Sequence, residues 1–239
     1  MTALDYRILG PIELAVDGVP VPTGPPRQRA VLAMLLLGGG RTVPVRRLVD
    51  GLWPVDPPRS AVKNVQVYVY LLRKSVGSRL QSSASGYRLE PGTDLDLVRF
   101  REMLALARQL HSRGDAHVAI ERYRQALALW RGPALADLVG RDLLTAEADH
   151  LEQVRLQAID EYFCLEYAAG QFDADVDPLV AEHPLAEVLR WHQIRFLCAA
   201  GRTVQAMAAY RDACAVLDRE LGAPPGRRLR DLARQTGLD

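Results

Sequence analysis

Apolar and polar positions first alternate with a period of two. Leu4 to Gly10, Ile12 to Val16 and Val19 to Val21 read as short strands, punctuated by Gly10-Pro11 and by Asp17-Gly18, a hairpin signal. From Pro25-Pro26 the period becomes helical, with Ala30, Val31, Met34 and Leu35 as the apolar stripe and Gly38-Gly39-Gly40 as the stop. Val43-Pro44-Val45 reads as extended, and Arg46 to Trp53 as a second helix with Leu48, Val49 and Leu52 inward. The prolines between Pro54 and Pro58 forbid helix and predict a loop. A third helix then runs from near Pro58 to Val76, with Ala61, Val65, Val69, Leu72 and Val76 on one stripe and Val62 and Tyr68 flanking it. After Gly77, Arg79 to Gln81 and Tyr87 to Leu89 predict a hairpin with a tip at Ser82 to Gly86.

Residues 90–96 read as a linker, and beyond them the strand signals cease. Asp96 is placed to cap a helix that buries Leu97, Phe100, Leu104 and Ala107. Ala116, Ile120, Tyr123, Leu127 and Trp130 mark the next helix, and a long one follows over 143–169 with Leu151, Val154, Ala158 and Leu165 in period. Later stripes are Val188, Leu189, His192 and Phe196, then Ala206, Tyr210, Ala213 and Leu217. Gly170 and Gly201, each after an Ala-Ala pair, lie 31 residues apart, near the period of tetratricopeptide-like helix pairs. The expected fold is mainly α: a winged helix-turn-helix over residues 1–93 (small sheet, three helices, wing), then an all-α tetratricopeptide-like domain over 94–239.

Charge sharpens the picture. The net charge of +1 conceals +5 over residues 1–95 and −4 over 96–239. Between Asp56 and Glu90 there is no acidic residue, while Arg59, Lys63, Arg73, Lys74, Arg79 and Arg88 all fall there. Opposite the apolar stripe, the third helix carries Lys63, Val67, Tyr70 and Lys74, with Asn64, Gln66 and Arg73 beside them. Such a face suits a major groove: amides reach base edges and cations reach phosphates. The wing would lay Arg88 or Arg79 near a minor groove, and Tyr87 beside them is a further candidate DNA contact. Tyr70 either stacks on the nucleic acid or packs under the wing. Trp53 and Trp130 are expected as core anchors.

No Gly-Lys-Ser/Thr follows the glycine run, no Ser/His/Asp order or carboxylate pair stands out, and the five histidines lack metal-ligand spacing. No enzyme activity, catalytic residue, cofactor or metal is therefore expected. Three cysteines, Cys164, Cys198 and Cys214, are expected as small core residues in a reducing cytoplasm. No apolar run approaches the ~20 residues of a membrane helix.

Several stretches together resemble the antibiotic regulatory protein (SARP) family of transcriptional activators. They are Arg7 to Glu13, Arg27 to Ala33, Leu48 to Trp53, Val65 to Val69 with Leu72-Arg73-Lys74, and Gly86 to Leu89. In the second half they are Ala128 to Asp137, Glu182 to Leu185 and Ala208 to Arg211. The resemblance implies a response-regulator-type winged helix followed by a bacterial transcriptional activation domain. It implies double-stranded DNA with direct repeats near a promoter −35 region as a partner, a second copy on that DNA, and RNA polymerase holoenzyme through its sigma and alpha subunits. The loop Pro54, Val55, Asp56 and Pro57 is the implied polymerase contact, and antibiotic gene clusters are the implied targets. The stretch from Gly170 to Leu185 is about three residues shorter than the family norm, which predicts a short or irregular helix near 172–182. With no further module after residue 239, the chain resembles the small family members or a trimmed larger one. The alternative is a tetratricopeptide-like adaptor or ligand sensor in which DNA binding is secondary.

Overall fold

Three short strands open the computed structural model of the protein, which describes residues 3–138, 142–171 and 175–238. β1 (Leu4–Arg7), β2 (Glu13–Val16) and β3 (Val19–Val21) form an antiparallel sheet in that order. Leu4 stands opposite Val16, and Val16 opposite Val19. Asp17 and Gly18 make the β2–β3 turn with φ of 51° and 80°, the twist-matched geometry of a two-residue hairpin.

α1 (Pro26–Leu37) begins with proline at its first position. It buries Leu32, Ala33 and Leu36 as well as the expected stripe, so it is enclosed on nearly all sides. β4 (Val43–Pro44) leads into α2 (Val45–Leu52), and α3 (Ala61–Val76) follows the proline loop. α3 starts three residues later than its pattern predicts. Pro57 precedes a proline and is held away from helical ψ, so the chain turns first: Ala61 N–H donates to Pro58 O at 2.8 Å. β5 (Leu80–Ser82) and β6 (Gly86–Leu89) form the wing, and β4 joins them in a sheet of order β4-β6-β5.

Residues 90–96 are not a loose linker. Gly92–Asp94 form a turn of 3-10 helix, Leu95 bridges Tyr6 in parallel, and Leu95 and Asp96 are each 1% exposed. The Asp96 carboxylate accepts the N–H groups of Ile8 (3.0 and 2.9 Å), Leu9 (3.0 Å) and Leu97 (2.8 Å). Those donors are what permits a carboxylate to be buried there. Burial pushes its pKa up, against the pull of the three N–H groups and of Arg131.

The remainder is helical: α4 (Asp96–Ser112), α5 (Ala116–Leu127), α6 (Asp142–Ala168), α7 (Asp177–Glu182), α8 (Glu187–Ala199), α9 (Thr203–Leu221) and α10 (Arg227–Thr236). α7 is the expected short helix, although residues 172–174 of that expectation lie outside the described residues. α10, after Pro224-Pro225-Gly226, is a helix the periodicity did not single out; it buries Leu229, Leu232 and Ala233.

Contacts divide the chain into two compact units, one of residues 1–109 and 122–155, the other of 110–121 and 156–239. In the first, the segment after β1 is held by the segment after α5. Arg131 N–H donates to Leu9 O at 2.8 Å and Leu135 N–H to Ile8 O at 3.1 Å. The Arg131 guanidinium reaches Pro11 O at 3.1 Å and Glu13 at 2.8 Å. Asp137 accepts the N–H of Ile12 at 3.0 Å and pairs with Arg29 at 2.6 Å. Trp130 is buried edge-on to Phe100, centroids 5.5 Å apart, whereas Trp53 is half-buried with Arg27 5.3 Å from its ring.

The second unit packs small residues where its helices cross. Ala206 and Ala213 of α9 meet Ile194 of α8 and Leu229, Leu232 and Ala233 of α10. Gly201, at φ 72°, turns α8 into α9. The three cysteines are free and half-buried, not the core residues their apolar neighbours predicted.

Candidate nucleic-acid interface

α3 is a helix with two chemistries. Ala61, Val65, Val69, Leu72 and Val76 are each at most 5% exposed, the stripe read from the sequence. Packing that face against α1 and α2 fixes the other in solvent. On the outer face Arg59 (just before the helix), Lys63, Gln66, Val67, Tyr70 and Lys74 are exposed. Asn64 is half-buried, its amide Nδ2 donating to Ser60 Oγ at 3.3 Å. Tyr70 is 61% exposed with Lys74 Nζ 5.0 Å from its ring centre, so it does not pack under the wing.

Arg73 Nε donates to Leu80 O at 3.0 Å and its Nη2 to Ser82 Oγ at 2.6 Å, tying the end of α3 to β5. Arg79 is ion-paired to Asp94, whose hydrogen bond holds the guanidinium pKa above its ordinary value. Below this pair Tyr6 is fully buried, and loss of water pushes its phenol pKa up to about 12. Arg88 spans the wing, donating to Gln81 Oε1 at 2.6 Å with Glu90 at 3.2 Å; Tyr87 is half-buried next to it. The cations of the acid-free stretch thus fall into two groups. Arg59, Lys63 and Lys74 project from α3 and its approach, while Arg73, Arg79 and Arg88 brace the hairpin.

The wing closes onto β4 through Gly86, which pairs with Pro44; a Cβ there would lie 2.0 Å from Val43 O. Pro54, Val55, Asp56 and Pro57 are all exposed, Val55 at 83%, and Asp56 holds a φ of 52°.

The second unit brings together a cluster drawn from distant parts of the sequence. Asp160, Cys164 and His192 bring ligand-type atoms within 4.8 Å of one another. His192 is fully buried with Nε2 2.7 Å from Asp160, and Arg228 contacts both Asp160 oxygens at 3.0 and 3.2 Å. Burial alone would raise the Asp160 pKa, but the hydrogen bonds and charges of His192 and Arg228 hold it well below the carboxylate range. Burial lowers the His192 pKa more than Asp160 raises it. Arg195 and Arg228 lie over Trp191, at 4.6 and 3.8 Å. With a guanidinium already on the carboxylate and a second cation close by, this is an ion-pair network joining α6, α8 and α10. Its members lie on separate helices, so spacing along the sequence could not show it.

Among the described residues no helix is long and apolar enough to cross a membrane.

Comparison with known proteins gives the surface its context. Residues 95–236 match the model of the bacterial transcriptional activator domain. The regulatory protein AfsR of Streptomyces coelicolor is 35% identical over 98% of this chain, which spans 24% of AfsR. The regulatory protein DnrI of Streptomyces peucetius is 31% identical over 96% of this chain and 90% of its own length. The structure of Mycobacterium tuberculosis EmbR in complex with a low-affinity phosphopeptide superposes with a TM-score of 0.88 at 33% identity, over 99% of this chain and 65% of EmbR. A winged helix followed by a helical domain is therefore shared along the chain, and the chain belongs to the SARP family of bacterial transcriptional activators.

Proposed function

We propose that the chain activates transcription by reading direct DNA repeats with α3 and the wing and by presenting the loop after α2 to RNA polymerase. The observation that carries the reading is the outer face of α3. Lys63, Gln66, Val67, Tyr70 and Lys74 stand in solvent while every stripe residue behind them is buried. Residues 1–93 are the DNA-binding part and 94–239 the activation domain. Gln66 and Asn64 read base edges, Val67 and Tyr70 press apolar surface on bases or sugars, and Arg59, Lys63 and Lys74 neutralise phosphates. Arg73 and Arg79 hold the hairpin in register with α3, and Arg88 and Tyr87 form the side of the wing that faces DNA. Pro54, Val55, Asp56 and Pro57 contact the polymerase; proline stiffening limits the entropy that this loop loses on binding.

Copies on direct repeats face the same way and touch through unlike patches. Repeat centres about 10–11 bp apart place both copies on one face of the duplex. The test is a gel shift on promoter DNA carrying two such repeats. Cooperative binding that disappears when about five base pairs are inserted between the repeats supports the reading. Absence of binding even at low salt, where the phosphate term is strongest, refutes it.

A further inference from the structure

We propose that a cavity of about 450 Å³ in the first compact unit is a binding site for an amphipathic organic anion, a carboxylate or sulfonate on an apolar body. It lies where the end of α1, β4 and the start of α2 meet α4 and α6, away from the outer face of α3. Its volume is that of a small-molecule site. Leu36, Leu97, Leu144 and Leu151, each at most 3% exposed as residues, lend its lining apolar surface.

The charged lining is one-sided. Among the described residues of the lining, Arg41, Arg47 and Arg101 contribute three positive charges against the single carboxylate of Glu147. Arg47 stands 3.8 Å from Glu147. Arg41 Nε is held by Gly38 O at 3.2 Å, which leaves the rest of its guanidinium to solvent. Arg101 is exposed and has no ion pair among the described residues. Backbone dipoles add to this. Pro44 at the N-cap of α2, Leu97 and Val98 in the first turn of α4 and Leu144 in the first turn of α6 put three helix N-termini on the wall, against the single C-terminus of α1. Leucine side chains beside the guanidinium groups of Arg41 and Arg101 suit a ligand with an apolar body and an anionic end.

Val43 lines the same cavity and pairs with Tyr87 of the wing. That a bound anion would alter DNA recognition rests on the function proposed above; the site itself does not, so its test omits DNA. The probe is 1-anilinonaphthalene-8-sulfonate, with the neutral N-phenyl-1-naphthylamine as its uncharged counterpart, titrated by fluorescence into the whole chain. The expected result is saturation near one equivalent. Arg101→Ala should weaken the sulfonate about tenfold and change the neutral probe by less than about twofold. Val98→Trp, which fills the cavity from the α4 side, should abolish both. An Arg101→Ala chain that binds the sulfonate as tightly as wild type overturns the proposal. So does a Val98→Trp chain that melts like wild type and still binds it.

Discussion

Asp96 takes the N–H of Ile8 on both of its carboxylate oxygens, at 3.0 and 2.9 Å, across 88 residues of sequence. Asp96→Asn turns an amide N–H₂ toward donors that need an acceptor, and should cost about 1–3 kcal/mol in urea unfolding. Because burial raises the pKa of this carboxyl, the folded chain holds more protons than the unfolded one from pH ~4 upward. Stability from this group therefore falls as pH rises through that window, and the asparagine variant should lack that slope. A variant with the wild-type pH dependence would contradict the assignment.

Phosphate-holding and base-reading residues separate by their salt dependence. Lys63→Ala or Lys74→Ala should weaken binding to all sequences and reduce the salt slope by roughly one unit. Gln66→Ala should change preference at one base by ~1–3 kcal/mol and leave the slope intact. Arg79→Ala, which releases Asp94, should lower the melting temperature of the free protein before it alters the slope. Gel shifts over a salt series, with melting curves alongside, check all three. Equal loss of specific and non-specific affinity in Gln66→Ala would remove it from the reading face.

Gly86→Ala should detach the wing. Its Cβ would meet Val43 O at 2.0 Å and Pro44 Cα at 2.9 Å, both backbone atoms that cannot rotate aside. The expected loss is about 1–3 kcal/mol or more. Hydrogen exchange should localise it to β4 and β6, and unchanged protection there would show that the pairing accommodates the added Cβ.

His192 and Asp160 make the second unit acid-sensitive. The His192 pKa is lowered, so stability drains away as pH falls through about 6.5, where the unfolded imidazole takes up its proton. Asp160, also lowered, adds a loss that begins below the ordinary aspartate value of about 4. His192→Phe, seated among Phe163, Trp191 and Phe196, should flatten the melting-temperature profile between pH ~5 and 7. A profile still as steep as wild type would place the titration elsewhere.

The double change Val55→Asp, Asp56→Arg alters side chains of which Val55 is 83% exposed. Gel-shift affinity should be kept while transcription in vitro is lost. Parallel loss of both would count against a polymerase contact at this loop.

The amphipathic elements were legible because burial on one side is written into the period: all five stripe positions of α3 are buried as read. α1 was legible in its limits but not in its environment, since a helix enclosed all round carries little contrast between faces. Asp96 looked like a cap at the end of a linker because sequence shows neither Ile8 nor Leu9 as its donors. The run of six cations was real, yet its neutralising partners, Glu90 and Asp94, lie at or just past its edge. The charge count therefore overstated how much of it is free for phosphates. α10 was missed because its four arginines dilute the apolar signal of Leu229 and Leu232.

The stretches from Arg7 to Glu13 and from Ala128 to Asp137 stood out separately as family-like, and they turn out to bond to each other. This bears on protein engineering. A chimera that borrows residues 1–93 from a relative would set a foreign Ile8–Ile12 segment against the resident Arg131, Leu135 and Asp137, breaking matched pairs on both sides of the graft. The transferable cassette is the first compact unit with its return segment, residues 1–109 and 122–155, and a crossover near residue 93 cuts through it.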